Sequence, residues 1–402
     1  MRVLGLMSGT SADGVDAVLA ELSGAPHRPR WCLLASAAIA YPPDLRRRLV
    51  ALGQREPLAS AEILELAEAL TEQQAEAARA CDPHGQAELV GCHGQTVWHR
   101  PPAAGRRGAS WQLLEGPLLA ELLATPVVFD FRSADLALGG QGAPLVPATD
   151  AALLGGIGGW RAVLNLGGIA NLTLLPPASG PDRNAPVRGW DCGPANTLLD
   201  LAVNQFSGGR LSFDAEGAWA RQGTIHEALV NRWLQEPYFR QPPPKSTGRE
   251  SFGGPDLERR LREVAALTPD DRLAADALAT LTAFAAAAVA ADLNLQPRPL
   301  EVLVAGGGCR NGVLMEQLRR RSRGLAVRPL QELGIADCQR EALAFALLAW
   351  WHHRGHPGSL PSVTGARRAA VLGVRAEPAG GARSGASSGA SGSRRSREAS
   401  GA

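Results

Sequence analysis

Lysine is almost missing from this chain. Of the 41 lysines and arginines among 402 residues, a single one, Lys245, is lysine. A P-loop nucleotide site needs a lysine directly after a glycine-rich loop, and Lys245-Ser246-Thr247 follows three prolines instead, so that site is excluded. Paired cysteines are missing too. The six cysteines (Cys32, Cys81, Cys92, Cys192, Cys309, Cys338) are scattered and form no C-x-x-C pair. This excludes a zinc site or disulfide framework and predicts reduced, mostly buried thiols in a cytoplasmic protein. No apolar run reaches bilayer length: the most apolar stretch, Leu278 to Ala291, stops at Asp292 and predicts a buried helix, not a membrane contact. The N-terminus has no long apolar segment, so secretion is not expected. Excess charge is also lacking. The formal charge is +2, and residues 376–402 supply four Arg and two Glu, which leaves the body about neutral. A nucleic-acid binder should show a basic stripe within a folded domain, and none is present.

What is present is an ordinary globular composition, 45% hydrophobic and 20% charged, at a length that suggests two domains. Strand-like and helix-like segments alternate, which argues an α/β fold. "RVLGLM" reads as a strand and "DAVLAEL" as its return strand. Residues 58–80 have helical spacing. "AELVGCHGQTVW" reads as strand into loop, "EGPLLAELLA" as a short helix and "PVVFDFR" as a strand. A second cycle opens with "WRAVLNLGGIANLTLL", again strand, glycine turn, strand, which hints at a duplicated unit. "NTLLDLAVNQF" and "LATLTAFAAAAVAADLNL" read as helices, "LEVLVAGGG" as a strand ending in glycines, and "CQREALAFALLAWWHH" as the last long helix. The Gly/Ala/Ser/Arg tail, residues 376–402, cannot bury enough apolar surface to order itself.

Several constellations could carry chemistry, and each has a plainer alternative. Three glycine turns follow strands, at Gly9 to Asp16, Gly167-Gly168 and Gly306-Gly307-Gly308. They either end strands or let backbone N–H groups approach phosphates. Gly306-x-Gly308-x-x-Asn311 falls short of a dinucleotide fingerprint, because Asn311 stands where the third glycine belongs. Asp191 in "GWDCGPAN" is placed on a strand-to-helix loop, as a general base or as a helix N-cap. His93, Gln95, Trp98 and His99 suit sugar hydroxyls and a sugar face, or else pack in the core. Arg132 binds an anion, or pairs with Asp130 or Asp135. Lys245, Arg249 and Glu250 suit a lid or an anion contact, or a solvated loop. Glu341 precedes a buried run, where an unused carboxylate is costly.

Taken in order, "GLMSGTSADGVD", "GCHGQTVWHRP", "DFRSADLALGGQGAPLVP", "NLGGIANLT", "DCGPAN", "KSTGRESF", "GGGCRNGVLM" and "LPSVTGA" resemble the anhydro-N-acetylmuramic acid kinase family over residues 3–373. The resemblance implies two ribonuclease-H-like lobes of the sugar-kinase/actin/Hsp70 superfamily with ATP in the interlobe cleft. The lobes are expected at residues 1–135 plus about 345–375, and at 136–344. It implies that ATP and water are used to open the 1,6-anhydro ring of anhydro-N-acetylmuramic acid and phosphorylate O6, in recycling of cell-wall peptidoglycan. Carried over by motif, Gly9, Thr10, Ser11, Ala12, Asp13, Gly14, Val15 and Asp16 form the first ATP-phosphate loop. Gly167 and Gly168 form the second, and Gly306, Gly307, Gly308 and Asn311 the adenosine segment. Asp191 is the catalytic base. His93, Gln95, Arg132 and Glu341 face the sugar. Met7 replaces the superfamily's Mg²⁺-holding aspartate, which makes Asp13 the candidate Mg²⁺ ligand. Cys192, Ala195 and Asp150 depart from the family pattern. The resemblance leaves a homodimer open. A kinase for another small sugar and a non-catalytic ATP-binding module are the alternative functions.

Overall fold

Two sheets with the same strand order organise the chain. A computed structural model describes residues 1–380 apart from Thr10, Pro244, Arg249, Glu250, Gln296, Asp337 and Cys338. The expectations for Thr10, Arg249, Glu250 and the tail beyond residue 380 lie outside the described residues. The first sheet opens with an antiparallel meander, β1 (Arg2–Ser8), β2 (Gly14–Ala25) and β3 (Arg28–Ala40). β4 (Leu89–Arg100) returns parallel to β1, hairpins into β5 (Ala109–Leu113), and is followed by the parallel β6 (Val127–Phe129). The second sheet repeats this plan. β7 (Arg161–Leu166), β8 (Ile169–Leu175) and β9 (Arg188–Pro194) form the meander, and β10 (Glu301–Ala305) and β11 (Ala326–Pro329) follow in parallel. β12 (Val374–Ala376) closes the first sheet against β6. With the β5 hairpin and β12 left aside, the two sheets share one order, β3-β2-β1-β4-β6 and β9-β8-β7-β10-β11. This is the ribonuclease-H-like unit present twice, the plan of the actin-like ATPase fold, and it confirms the duplication hinted at by the glycine turns.

Helices fill the connections. The first half carries α1 (Pro43–Gly53), α2 (Ser60–Cys81), α3 (Gly116–Leu123), α4 (Ser133–Ala137) and α5 (Val146–Leu154). The second carries α6 (Asn196–Phe206), α7 (Glu227–Trp233), α8 (Pro237–Arg240), α9 (Gly254–Ala265), α10 (Leu273–Leu293) and α11 (Gly312–Arg321). Then come α12 (Gln339–His353) and α13 (Pro361–Thr364). α2 shows how sequence sets packing: Leu66, Leu70, Gln74 and Ala78 recur every four residues and form one buried face. α10 is apolar and long enough to cross a bilayer, yet its apolar window is 83% buried inside the fold, as a core helix is.

α12 joins the two halves. Gly5 of β1 and Gly91 of β4 are partners in the parallel register, so the sheet has a side-chain-free floor there. The helix lies directly on that floor. A Cβ on Gly5 would overlap the Ala342 carbonyl and stand 2.8 Å from Ala346 N; one on Gly91 would overlap the Phe345 carbonyl and stand 2.8 Å from Ala349 Cβ. Ala342 and Leu343 continue into a core shared by Val18 and Ala20 of the first sheet and Val163, Leu303 and Ala305 of the second. The interlobe contact is therefore packed apolar surface.

Candidate active site

The first glycine loop connects β1 to β2. Its Gly9 carbonyl accepts from Ala12 N at 3.1 Å and from Gln95 Nε2 at 2.9 Å. Ala12 closes the turn with φ +52 and a buried side chain. Beneath the loop, Ser8 Oγ lies 2.7 Å from Tyr41 OH, Gln74 Nε2 donates to Ser8 Oγ at 2.8 Å, and Tyr41 N donates to the Asp13 carbonyl at 3.0 Å. Ser8, Tyr41 and Gln74 are all buried. They fix the loop's base, a role the sequence reading did not assign. Gln95, expected to face sugar, braces this loop through its amide.

The second turn, Gly167-Gly168, occupies the equivalent place between β7 and β8. Both of its carbonyls are taken up by the start of α6: Asn196 N donates to Gly167 O, and Ala195 N and Thr197 N donate to Gly168 O. Asn196 Nδ2 adds bonds to the carbonyls of Leu166 and Gly167 at 3.0 and 2.8 Å. Because a trans peptide sets N–H opposite C=O, this turns the Gly168 N–H away from the helix. Thr197 Oγ1, buried beside Gly168, has no hydrogen-bond partner. The outward Gly168 N–H is a donor that an anion such as phosphate could use. The third turn packs against this one: a Cβ on Gly306 would press on Asn165 Oδ1, and one on Gly308 on Leu166 Cβ. Asn311 caps α11, its Oδ1 accepting from Leu314 N at 3.0 Å.

Asp191 sits on β9 itself, not on a strand-to-helix loop, and Ala195 is the N-cap of α6. The helix-cap alternative is therefore ruled out. Register builds a polar row across three strands, because Asn165 is the partner of Asn171 and Asn171 the partner of Asp191. Asn171 Nδ2 donates to Asp191 Oδ1. On the other carboxylate oxygen, Ser246 Oγ and Thr247 N both donate at 3.0 Å. A carboxylate has about four acceptor positions, so three donors fix its plane and leave one position for a further proton donor. The sequence reading quoted "NLGGIANLT" and "KSTGRESF" but assigned no role to Asn165, Asn171, Ser246 or Thr247.

The third cluster gathers His93, Arg132, Asp16 and Glu341. β4 runs on as strand to Arg100, so His93, Gln95 and Trp98 lie within it and not in a following loop. Arg132 pairs with neither nearby aspartate. It donates to His93 Nε2 at 2.8 Å and to the Gly142 carbonyl at 2.7 Å, while Asp130 is engaged by Ser133 and Asp135 by Gly142 N and Thr364. Arg132 Nε is left without a partner. Burial, then the Arg132 charge, pushes the His93 imidazole down to about 3, so it stays neutral. Burial also lowers Arg132 to about 10, against the upward pull of Glu341. Asp16 is raised to about 6, first by burial and then by Glu341. Glu341 itself is exposed at the start of the buried run, so it carries no burial cost. The buried charge at that point is Arg340, paired through Nε (3.1 Å) and Nη2 with the buried Asp150.

Two further expectations change. Asp13 is solvent-facing and ion-paired to Arg46 at 2.8 Å. Among the described residues no group of three or more His, Cys, Asp or Glu gathers to hold a metal. With its carboxylate paired to Arg46, Asp13 is not poised as the expected Mg²⁺ ligand. Lys245 is neither a lid residue nor an anion contact, because its side chain is 2% exposed and paired with Asp292 at 3.0 Å.

Comparison with known proteins gives the family. The family described as anhydro-N-acetylmuramic acid kinase matches residues 1–377. A protein of that name from Prochlorococcus marinus (strain MIT 9303) is 64% identical over 384 residues, covering 94% of this chain and 100% of the relative. One from Synechococcus sp. (strain WH7803) is 60% identical over 392 residues, with the same coverage. One from Prochlorococcus marinus (strain MIT 9211) is 52% identical over 383 residues, again covering 94% and 100%.

Proposed function

Because the chain belongs to the anhydro-N-acetylmuramic acid kinase family and is a kinase, we propose that it uses ATP and water to convert anhydro-N-acetylmuramic acid to N-acetylmuramic acid 6-phosphate and ADP. The chemistry needs two events. O6 is tied to C1 in an internal acetal, so no free hydroxyl exists until the ring opens. Asp191 takes a proton from a water that attacks C1. The C1–O6 bond breaks, and O6 attacks the γ-phosphorus as ADP leaves. Transfer of the phosphoryl group to O6 removes the charge building there, so the step needs no separate acid. Phosphoryl transfer is mainly positioning and charge stabilisation. Here Gly9, Ser11 and Gly14 on one side and Gly168 on the other supply N–H and hydroxyl donors. His93 and Arg132 form a neutral and a cationic contact for the sugar, and Glu341 contacts its hydroxyls. Cytoplasmic recycling of cell-wall fragments is the role that fits this substrate.

The observation carrying this reading is the Asp191 carboxylate, fixed by three donors with one acceptor position left for water. Asp191→Asn replaces an acceptor oxygen by an NH₂ group. We expect folding and ATP binding to persist while turnover falls by about 10²–10⁴-fold, the usual size of a general-base contribution. A coupled ADP assay should compare the anhydro-sugar with N-acetylmuramic acid, N-acetylglucosamine and glucose. Equal turnover on a sugar with a free O6, or a variant within about fivefold of the parent, would sink the assignment.

A further inference from the structure

In a chain whose other forty basic residues are arginine, the one lysine is buried. Lys245 Nζ lies 3.0 Å from Asp292 Oδ1 in the last turn of α10, and the two side chains are 2% and 4% exposed. Asp292 is a hub. Its Oδ2 accepts from Trp190 Nε1 at 2.9 Å, and it also bonds the Cys192 thiol. Residues alternate in direction along a strand, so Trp190 and Cys192 turn toward α10 while Asp191 between them turns the other way. Asp292 thus grips β9 on both sides of the catalytic carboxylate.

The same ion pair anchors the segment that clasps Asp191. The Lys245 carbonyl accepts from Asp191 N at 3.0 Å. Ser246 Oγ and Thr247 N then reach Asp191 Oδ2, and Tyr238 OH donates to the Asp191 carbonyl at 2.7 Å. Lys245 Nζ also stands 5.2 Å from the centre of the Tyr238 ring. β9 is an edge strand, and its free edge at Asp191 is covered by this segment. A compact ammonium on a flexible stem can meet a single carboxylate oxygen in a dry pocket, where a planar guanidinium needs more donors satisfied. Buried ion pairs add little net stability once desolvation is counted, so the value of this one lies in geometry.

We propose that Lys245, through its buried pair with Asp292, is a positioning residue that holds the Asp191 carboxylate at the angle needed to activate water. The proposal rests on the reading of Asp191 as the base. Its test is the double variant Lys245→Met/Asp292→Asn, which removes both buried charges together and keeps an amide oxygen to accept from Trp190 Nε1. The variant should melt within a few degrees of the parent and keep its KM for ATP and sugar within about threefold. Its kcat should fall about 10²-fold, the scale of a misplaced catalytic group. Hydrogen exchange at the Asp191 amide, which needs no substrate, should quicken. A folded double variant with parental kcat overturns the proposal. If the parent itself fails to turn over the anhydro-sugar, the functional reading falls, and the exchange measurement alone decides the clasp: an unchanged rate overturns it.

Discussion

Gly91→Ala adds one carbon atom to the floor beneath α12. That carbon would overlap the Phe345 carbonyl and approach Ala349 Cβ to 2.8 Å. The obstacles are backbone on one side and a short methyl on the other, so no flexible side chain can yield. The helix must lift or the strand must bend, and inserting a methyl into a packed core costs ~1–3 kcal/mol. In a chain of this length about 2 °C of melting temperature accompanies each kcal/mol, so a fall of about 2–6 °C is expected. The displacement also reaches the site. Phe345 stacks on His93 with ring centres 4.7 Å apart, and His93 holds Arg132 at 2.8 Å. KM for the sugar should therefore rise severalfold while ATP binding at the glycine turns is spared. Gly158→Ala, where an added Cβ meets nothing within 4 Å, is the control. Differential scanning calorimetry and initial rates measure both effects. A Gly91→Ala protein that melts with the control and keeps its KM would refute the idea that the helix rests on the glycines.

Asp16 makes stability depend on pH. Its folded value is raised from 3.8 to about 6 by burial and Glu341, so the native state keeps a proton that the unfolded chain releases in that window. The contribution is full below about pH 4 and is lost as pH rises through about 6. Asp16→Asn should melt above the parent at about pH 7.5, with the gap closing by about pH 4; a gap constant across that range would contradict the buried setting. Arg340→Met strands the buried Asp150 carboxylate and should cost ~3–5 kcal/mol in chemical denaturation. Arg340→Met/Asp150→Leu should recover most of it, and a double variant as unstable as the single one would deny the pairing.

The order of glycine turns and the strands before them was legible because glycine marks strand ends through backbone freedom, a local property. Asp191 was legible as a candidate carboxylate but misplaced, since Gly and Pro in "DCGPAN" read as a loop although Pro194 ends an edge strand, where proline is tolerated. β3 escaped notice because Ala and Ser dominate its second half and disfavour a strand reading. Asn171 and Ser246 meet Asp191 through sheet register and a distant loop, and no local spacing encodes either. The inward turn of Arg340 was not legible, for a physical reason. α12 is apolar almost all round, so its pattern has no phase to say which of two adjacent charges turns inward.

The central claim is that water opens the sugar ring while the sugar's own oxygen takes the phosphate. Turnover of the anhydro-sugar with ATP in ¹⁸O water, with the product analysed before the anomeric oxygen exchanges with solvent, tests it most directly. The account predicts one solvent oxygen at C1 of the product, none in the sugar phosphate, and one ADP per sugar. Label in the sugar phosphate, or ADP release with an intact anhydro ring and labelled inorganic phosphate, would contradict it.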